Sequence, residues 1–537
     1  MSPQRIVDRV KEQGILVSAL GILLLLSCIG PLFAPVFNGA DEGMELSKAF
    51  QMNGPSVWHQ GMWNDQPLLL DELYRISFFL LGPHAWAARL VNMGFLGVLL
   101  VSLSALIPRT TPHRWLGIGG VWLLLLSHPI TWELSSSAMK ELPAFSLAVA
   151  SLALVVLPVS DSTLSKRFFI SGCIFAAAVQ VKYTSLMLAP SVACALAVAV
   201  REDSSKQNAK TTKHWLQAFG IWGTAFGLVS VALVLCFSLL HPDWSWTECF
   251  RSHWGTRLPE YATEEAGYQY SWSNLAEGYW FFPLLFLGTW ECLRSGRRQA
   301  LRLLVPLVLV GIVCGVHLVH RPYWYYYSFH FVIAFAVWAA VVAGPLLKRF
   351  FTIQSQPAGG FGVEFACLLA AGSLYMAGVF PPILERISVS KHYNGRSESA
   401  LVQIMRTYAG ETKWIYTQEN FLAFQAQLPI PPNLVLLVKK RFWSGQIDRE
   451  KILKEVISIE PEQLLLKRER ELQNPAWVQW IATHYTEVTS QDGLVLYVHQ
   501  RLNPKPIPKS KDTQQLFKSL GLNVSGNKSE QALEVKK

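Results

Sequence analysis

The chain has 537 residues, of which 51% are hydrophobic and 16% are charged, against roughly 25% charged residues in ordinary globular chains. Its mean hydropathy of +0.26 argues against a soluble protein, and its 20 Trp and 16 Tyr are typical of membrane interfaces. The net charge of +10 does not indicate nucleic-acid binding, because no basic face with interleaved aromatic residues accompanies it.

The cysteine pattern argues against two kinds of structural site. Seven of the eight Cys lie in or beside apolar runs, whereas Cys249 lies in a long polar loop. No CxxC pair occurs, so neither a disulfide framework nor a zinc site is indicated.

About eleven apolar runs approach the roughly 20 residues that cross a bilayer, and they predict a mainly α-helical, polytopic membrane bundle. The first run, from Ile15 to Phe37, lacks a clear small-residue cleavage site. It is therefore predicted to be a retained helix and not a removed signal peptide. The other runs cover roughly 86–107, 115–130, 139–158, 167–181, 184–200, 215–240, 273–290, 303–320, 325–346 and 362–382.

The basic residues predict the orientation of the chain. Alternate connections between the apolar runs are rich in Lys and Arg, and basic loops stay in the cytoplasm. We therefore expect a cytoplasmic N-terminus and a periplasmic or extracellular C-terminal region, in a bacterial inner (plasma) membrane. The basic connections contain Arg5, Arg9 and Lys11; Arg109 and Arg114; Lys166 and Arg167; Arg201, Lys206, Lys210 and Lys213; Arg294, Arg297, Arg298 and Arg302; and Lys348 and Arg349.

The chain changes character near Glu385, where hydropathy falls and a soluble pattern begins. Short apolar runs alternate there with helical periodicity, which predicts a small α/β domain on the outer face. We expect a transmembrane module over 1–383, this domain over 384–503, and a disordered tail over 504–537 that is rich in Lys, Pro and Ser. Strands are predicted at Trp414–Tyr416, Leu434–Leu437, Gln463–Leu466 and Leu494–Val498, and helices at Ile447–Ile459 and near 475–485.

The first outer loop, from Asn38 to Ala85, carries the most chemistry. Asp41 and Glu42 directly follow the first apolar run, and adjacent carboxylates at a membrane surface suit a general base or a divalent cation. The alternative is a solvated helix N-terminus, where acids are favourable without any catalytic role. The segment 66–81 is amphipathic but too short to cross the membrane, so it is predicted to lie in the interface.

An ordered set of motifs runs through the first 380 residues. It consists of Asp41-Glu42, Gln66-Pro67-Leu68, Gly82, Ala87-Ala88-Arg89-Leu90, Met139-Lys140-Glu141-Leu142-Pro143, Lys182-Tyr183 and His320-Arg321-Pro322-Tyr323-Trp324-Tyr325-Tyr326. This order resembles the GT-C superfamily of membrane glycosyltransferases. More narrowly, it is similar to the bacterial relatives of the dolichyl-phosphate-mannose protein mannosyltransferases and to the aminoarabinose transferases, a glycosyltransferase family 39-like group.

The resemblance implies a reaction and a base. Such enzymes transfer a sugar from a polyprenyl-phosphate donor to an acceptor on the outer face, and a metal-independent, inverting mechanism needs one carboxylate base. The resemblance assigns that role to Asp41 and makes Glu42 a second catalytic candidate, the alternative for Glu42 being a helix cap.

The resemblance also assigns the donor phosphate, whose developing charge needs cations. Relatives have Lys or His before the Pro of the second motif, where this chain has Gln66. The assignment therefore moves to Arg89, Lys182 and Arg321, which we expect to form one cationic cluster near Asp41. Each has an alternative: Arg89 marks the interface, Lys182 extends from a helix end towards water, and Arg321 stacks on aromatic rings.

Substrate contacts are expected from Asp65 and Gln66 in the first loop, from His253 in the loop 241–272, and from Tyr325. For His253 the alternative is a solvated loop histidine, and for Tyr325 a place in the interfacial aromatic belt. Neither a metal site nor a cofactor is predicted, because the first loop contains no Asp-x-Asp triplet.

Other function classes remain open. A polysaccharide polymerase or ligase is expected to have a large, Arg-rich outer loop, but 241–272 contains only Arg251 and Arg257. A transporter of lipid-linked glycans often shows two related halves, and no such internal symmetry is evident. An assembly subunit without enzymatic activity would not need Asp41. The expected partners are a polyprenyl-phosphate sugar donor, a glycan, lipid or protein acceptor, and the bilayer.

Overall fold

A computed structural model describes residues 3–29, 32–34, 41–53, 61–157, 164–207, 211–242, 244, 249, 281–320, 323–354, 363–394 and 398–504. The chain divides into two compact units, Met1–Arg396 and Ser397–Lys537. The last long helix of the first unit runs on to Asn394, beyond residue 383, where the sequence places the end of the transmembrane module.

The described part of the first unit is helical. Its helices are α1 Pro3–Ile29, α2 Glu42–Gln51, α3 Leu69–Leu81, α4 Ala85–Leu106, α5 Arg114–Ser127, α6 Pro129–Ser135, α7 Glu141–Val156, α8 Leu164–Val181, α9 Ala189–Gln207, α10 Thr211–Leu240, α11 Phe282–Arg294, α12 Arg297–Val319, α13 Ser328–Gln354 and α14 Val363–Asn394. Short 3-10 helices at Tyr183–Leu188 and Tyr325–Tyr327 precede α9 and α13.

Many of these helices are long and apolar enough to cross a membrane. Within the described residues seven meet that test, or eight if α5 and α6, which meet at 83°, form one bent span. Two shorter apolar helices, Gln13–Leu26 and Glu141–Val156, add to them. The predicted fold class, a mainly α-helical multi-pass membrane protein, is confirmed, whereas the number of eleven spans stays a prediction.

The surface of this unit reverses the pattern of a soluble protein. Leu239 and Val319 are each 83% exposed, while the side chains of Lys48 and Asp71 are 1% and 0% exposed. Apolar side chains face outward because lipid is their solvent, and charged groups turn inward where they can pair. Helix α3 shows both features, since Phe79 is 82% exposed and Asp71 is buried. It is therefore amphipathic, while its place in the membrane interface stays a prediction.

Helix α7 lies at the centre of the bundle and carries site residues at its start. It packs against α4 and α8, and α8 in turn packs against α10. The last contact is close, because a Cβ on Gly172 would lie 2.4 Å from the Trp222 carbonyl oxygen. Glycine is required at this position for the two helices to approach.

The segment before α7 is fixed by one buried amide. The Asn92 Nδ2 group on α4 donates to the carbonyls of Ser137 at 2.6 Å and Met139 at 2.8 Å. The Tyr74 hydroxyl on α3 donates to Asn92 Oδ1 at 2.8 Å. This network joins α3, α4 and the entry to α7, so it sets the position of Lys140 and Glu141.

The second unit is an α/β domain, as the sequence predicts. Its helices are α15 Ala400–Thr407, α16 Asn420–Gln425, α17 Lys439–Trp443, α18 Arg449–Ile459 and α19 Pro475–His484, and its strands are β1 Ile415–Thr417, β2 Gln463–Lys467, β3 Tyr485–Gln491 and β4 Leu494–His499. The sheet has the order β1-β2-β4-β3, with β1 parallel to β2 and the other pairs antiparallel.

One predicted strand is wrong and one strand was not predicted. Residues 434–437, of which 434–436 are buried, form no strand, because Pro431 and Pro432 precede them and side chains take their carbonyls. Asn420 donates to the Val435 carbonyl and Arg441 donates to that of Leu436. The unpredicted strand, β3, is half-exposed, so it lacks the apolar run that marks a buried strand.

Candidate active site

Asp41 is the N-cap residue of α2, but its side chain does not cap the helix. Its backbone carbonyl accepts from the N–H groups of Met44 and Glu45, both at 3.1 Å, while its carboxylate makes no capping hydrogen bond. The carboxylate instead lies close to the Tyr326 hydroxyl, and this proximity favours its ionised form. The side chain is therefore directed away from the helix and into a group of ionisable residues.

The surroundings of Asp41 suit a base. Burial raises the pKa of its carboxyl, the nearby Lys182 ammonium lowers it, and the carboxylates of Glu141 and Glu45 raise it again, giving a pKa of about 6. A carboxylate with this pKa is mostly ionised at neutral pH yet holds a proton far better than an exposed aspartate. Within the described residues, no Lys or Arg nitrogen forms an ion pair with it.

Lys182 lies where the chain leaves α8 and enters the 3-10 helix Tyr183–Leu188, and its backbone is extended. Its ammonium forms an ion pair with Glu141, the first residue of α7, and lies 5.2 Å from the centre of the Tyr326 ring. The lysine side chain is 11% exposed. Lys182, Glu141 and Tyr326 therefore form one polar cluster with Asp41, at a break between two apolar helices.

Arg89 and Glu42 form a separate, fully buried pair. The Nε and Nη2 groups of Arg89 donate to the two carboxylate oxygens of Glu42 at 2.7 and 2.9 Å, and Nη1 donates to the carbonyls of Leu32 and Ala34. Glu42 also accepts from the Ala138 N–H at 3.0 Å. Both side chains have 0% exposure, which argues against phosphate contact by Arg89 and direct catalysis by Glu42. The pair instead anchors the residue next to Asp41.

A second buried network lies one turn further along α2. Glu45 Oε2 lies 2.8 Å from the Lys48 ammonium and 3.3 Å from that of Lys140, and each ammonium lies 3.1 Å from an oxygen of Asp71. We call these four residues, Glu45, Lys48, Asp71 and Lys140, the ion quartet. Its two cations and two anions balance, and it joins α2, α3 and the start of α7.

The turn that contains Gln66 and Pro67 lies in contact with the ion quartet. Lys48 donates to Asn64 Oδ1 at 3.3 Å and Lys140 to the Pro67 carbonyl at 3.4 Å. Asn64 Nδ2 also donates to the Gln66 carbonyl at 2.6 Å, which closes the turn. The ammonium groups of Lys48 and Lys140 thus lie near the motif in which Gln66 replaces the cation of the relatives. Both ammonium groups are already paired with carboxylates.

The turn at Asn64–Gln66 also contacts Cys249, the one cysteine that the sequence places in a polar loop. Its thiol donates to the Asn64 carbonyl at 3.2 Å, and it packs with Met52, Met62 and Trp244. Burial, together with the nearby charge of Asp65, raises the pKa of Cys249 to about 12. The thiol stays protonated, and it ties the loop after α10 to the half-buried Asp65 turn.

The remaining predicted site residues are placed as follows. The hydroxyl of Tyr325, which is 48% exposed, bonds to Glu133. The tyrosine hydroxyl that lies close to Asp41 is that of Tyr326, which was not among the predicted site residues. His253 and Arg321 lie outside the described residues. The cationic cluster expected around Asp41 thus contains Lys182, while Arg89 is committed to Glu42.

Sequence reasoning missed several members of this site. Glu141 lies within a recognised motif, but nothing local showed that it would pair with Lys182. The members of the ion quartet lie in short polar stretches that also suit a solvated surface. A usable signal was their membrane context, since ionisable residues beside apolar helices are costly unless they face inward and pair.

Known structures were compared with this fold. No protein-family model and no curated protein sequence matches the chain. The crystal structure of ArnT from Cupriavidus metallidurans bound to undecaprenyl phosphate is similar, with a TM-score of 0.58, 13% sequence identity, and coverage of 90% of this chain and 98% of that one. ArnT in the apo state gives a TM-score of 0.55.

A second kind of neighbour shares the architecture. The oligosaccharyltransferase AglB from Archaeoglobus fulgidus, in complex with an inhibitory peptide and a dolichol-phosphate, gives a TM-score of 0.54 at 10% identity, covering 94% of this chain and 75% of that one. Both neighbours are members of the GT-C superfamily. The chain has the GT-C fold. The fold expected from the ordered motifs is thereby confirmed, and within it the GT-C module carries Asp41 at the start of α2.

Proposed function

We propose that this chain transfers a sugar from a polyprenyl-phosphate donor to an acceptor at the outer face of the membrane. The single observation that carries the proposal is the Asp41 carboxylate, which is held beside Lys182 and Tyr326 without being used as a helix cap. The fold supports it, because the similar structures hold undecaprenyl phosphate and dolichol-phosphate.

Asp41 is the base in this proposal. An acceptor hydroxyl attacks the anomeric carbon, its proton passes to the Asp41 carboxylate, and the bond from that carbon to the phosphate oxygen breaks. The configuration at the anomeric carbon inverts, since one displacement occurs. The Tyr326 hydroxyl lies close to this carboxylate, and we propose that it orients the carboxylate by donating a hydrogen bond to it.

Lys182 is the proposed partner of the leaving phosphate. As the polyprenyl phosphate departs, its negative charge increases, and a fixed ammonium in a low-dielectric site stabilises that charge strongly. Glu141 keeps the ammonium charged and directed towards the cluster. No metal takes part in this mechanism, since Lys182 supplies the positive charge.

Arg89 and Glu42 support the site without touching the substrate in this proposal. Their buried pair fixes the backbone on which Asp41 lies, and this assignment replaces the phosphate and catalytic roles that sequence alone gave them. We retain Asp65, Gln66, His253 and Arg321 as proposed contacts to the donor or acceptor, because the sequence predicts that all four lie in outer loops.

The proposal is tested by incubating the purified chain in nanodiscs with a panel of undecaprenyl-phosphate pentoses and hexoses and a cell-envelope extract as acceptor. We expect free undecaprenyl phosphate to be released from at least one donor, together with labelled sugar in the extract. No release from any member of the panel would contradict the proposal. Movement of intact donor across the bilayer of sealed proteoliposomes would then favour a transporter.

A further inference from the structure

Glu45 interacts with Asp41 in two ways, by a backbone hydrogen bond and by the charge of its nearby carboxylate. Its N–H donates to the Asp41 carbonyl at 3.1 Å, in the first turn of α2. Its carboxylate lies close enough to raise the pKa of Asp41 by charge repulsion. Nothing in the proposed reaction requires Glu45 to touch a substrate.

Two lysines from different elements hold the Glu45 carboxylate in place. Lys48, on the next turn of α2, lies 2.8 Å from Glu45 Oε2, and Lys140, just before α7, lies 3.3 Å from it. Both lysines are also bound to Asp71 at 3.1 Å. Each partner is shared, so the Glu45 side chain cannot move without disrupting the ion quartet.

The quartet keeps Glu45 ionised throughout the working pH range. Burial raises the pKa of Glu45, but Lys140 and Lys48 outweigh burial and lower it to about 2. The groups around Glu45 are Asp41 and Lys48 on α2, Asp71 and Tyr74 on α3, and Lys140 at the start of α7. Asp41 also faces Lys182, Glu141 and Tyr326.

We propose that Glu45, locked by Lys48 and Lys140, is a positioning residue that sets both the place of the Asp41 carboxylate and its strength as a base. The inference rests on the proposed function. A fixed negative charge beside a carboxylate makes proton uptake more favourable, and general-base catalysis improves as the base becomes stronger near the operating pH. The four charges of the quartet sum to zero only while Asp71 is ionised, because burial raises the pKa of Asp71 to about 6.

The experiment is the pH dependence of kcat/KM for sugar transfer by the full chain in nanodiscs, using the donor identified by the panel. Glu45→Gln removes the charge but keeps the shape, so we expect the acidic limb to move to lower pH by roughly 0.5–1 unit. The plateau should fall about 3- to 10-fold because the base is weaker. Glu45→Asp keeps the charge, so its limb should remain close to that of the wild type.

A second variant, for which the expected pH shift has the opposite sign, keeps the test decisive if Glu45→Gln does not fold. Lys140→Gln removes a positive charge from the quartet and leaves it net negative, so the acidic limb should move to higher pH. Glu202→Gln is the matched control, because Glu202 also pairs with two basic residues, Arg298 and Arg302, in a separate cluster between α9 and α12. Its limb should not move.

Two results distinguish this inference from the proposed function. A lower plateau in Glu45→Gln with an unmoved acidic limb would show a purely structural role and overturn the inference. If Asp41→Asn kept a normal acidic limb, the assignment of Asp41 as base would fail first, because the limb would belong to another group. Two results together support the inference and the proposed function. The acidic limb is lost in Asp41→Asn, and it shifts in opposite directions in Glu45→Gln and Lys140→Gln.

Discussion

The Arg89 guanidinium donates two hydrogen bonds to the Glu42 carboxylate, Nε to Oε1 at 2.7 Å and Nη2 to Oε2 at 2.9 Å, and both side chains are fully buried. This bidentate geometry is the strongest form of an arginine–carboxylate pair. It connects α4 to the first residue of α2, beside Asp41. Of the two adjacent acids in the sequence, Glu42 is therefore committed to a buried ion pair with Arg89, whereas Asp41 is not.

The first prediction concerns the stability of this pair. Glu42→Gln leaves the Arg89 charge buried without its counter-ion, which typically costs about 3–5 kcal/mol. We expect a clear fall in the thermal unfolding midpoint in detergent. The double variant Glu42→Leu/Arg89→Met removes both charges and should recover part of the loss. If Glu42→Gln unfolded at the wild-type temperature, the anchoring role would be wrong.

The second prediction concerns pH. Since the pKa of Asp41 is raised to about 6 and the base must be ionised, kcat/KM should be constant above roughly pH 7 and fall about tenfold per pH unit below pH 5. The raised pKa means that activity is lost as the pH falls through 6, well above the ordinary aspartate value of 3.8. A profile that stayed flat down to pH 4.5 would not fit Asp41 as the base.

The third prediction concerns the donor phosphate. Lys182→Met removes the ammonium that lies beside Asp41, and a hydrogen bond to a charged group contributes about 1.5–3 kcal/mol. We therefore expect undecaprenyl phosphate to bind roughly 10- to 100-fold more weakly in a titration with nanodisc-embedded protein. Lys454→Met, which removes an exposed lysine from the C-terminal unit, is the control. Equal affinity for wild type and Lys182→Met would remove Lys182 from the phosphate site.

The fourth prediction concerns orientation, which follows from the basic loops. Single cysteines at Ser205, Ser295 and Glu450 are introduced into a chain whose own eight Cys are replaced. We expect an impermeant thiol reagent added outside intact cells to label position 450 but not 205 or 295, because basic connections stay in the cytoplasm. Labelling of 205 from outside, with 450 protected, would reverse the orientation and place Asp41 on the cytoplasmic side.

Much of the fold could be predicted because apolar length is a local property. The run predicted at 86–107 is helix Ala85–Leu106, and the run at 215–240 lies within Thr211–Leu240. The break at His128 was also encoded locally, because Pro129 ends one helix and starts the next. The span predicted at 115–130 is therefore helix α5, followed after the break by helix α6 at an angle of 83°.

The site was harder to predict because its contacts are long-range. Lys140 meets Asp71 across 69 residues, and Arg89 meets Glu42 across 47. The sequence identifies each of these as an ionisable residue near an apolar helix, but the choice of partner depends on how α2, α3, α4 and α7 pack. Asp41 could be proposed from the sequence because it belongs to a recognisable ordered motif, whereas Tyr326 stands in an aromatic run that equally suits a membrane interface.

The central claim is that Asp41 is the base, and the most direct measurement compares turnover and donor binding in Asp41→Asn. Asn is nearly isosteric but cannot accept the proton, and loss of a general base costs on the order of 10²–10⁴ in rate. We expect kcat for sugar transfer to fall by that factor, while undecaprenyl phosphate binding and the unfolding midpoint stay close to those of the wild type. Near-normal turnover in Asp41→Asn, in protein that binds the lipid normally, would contradict the account.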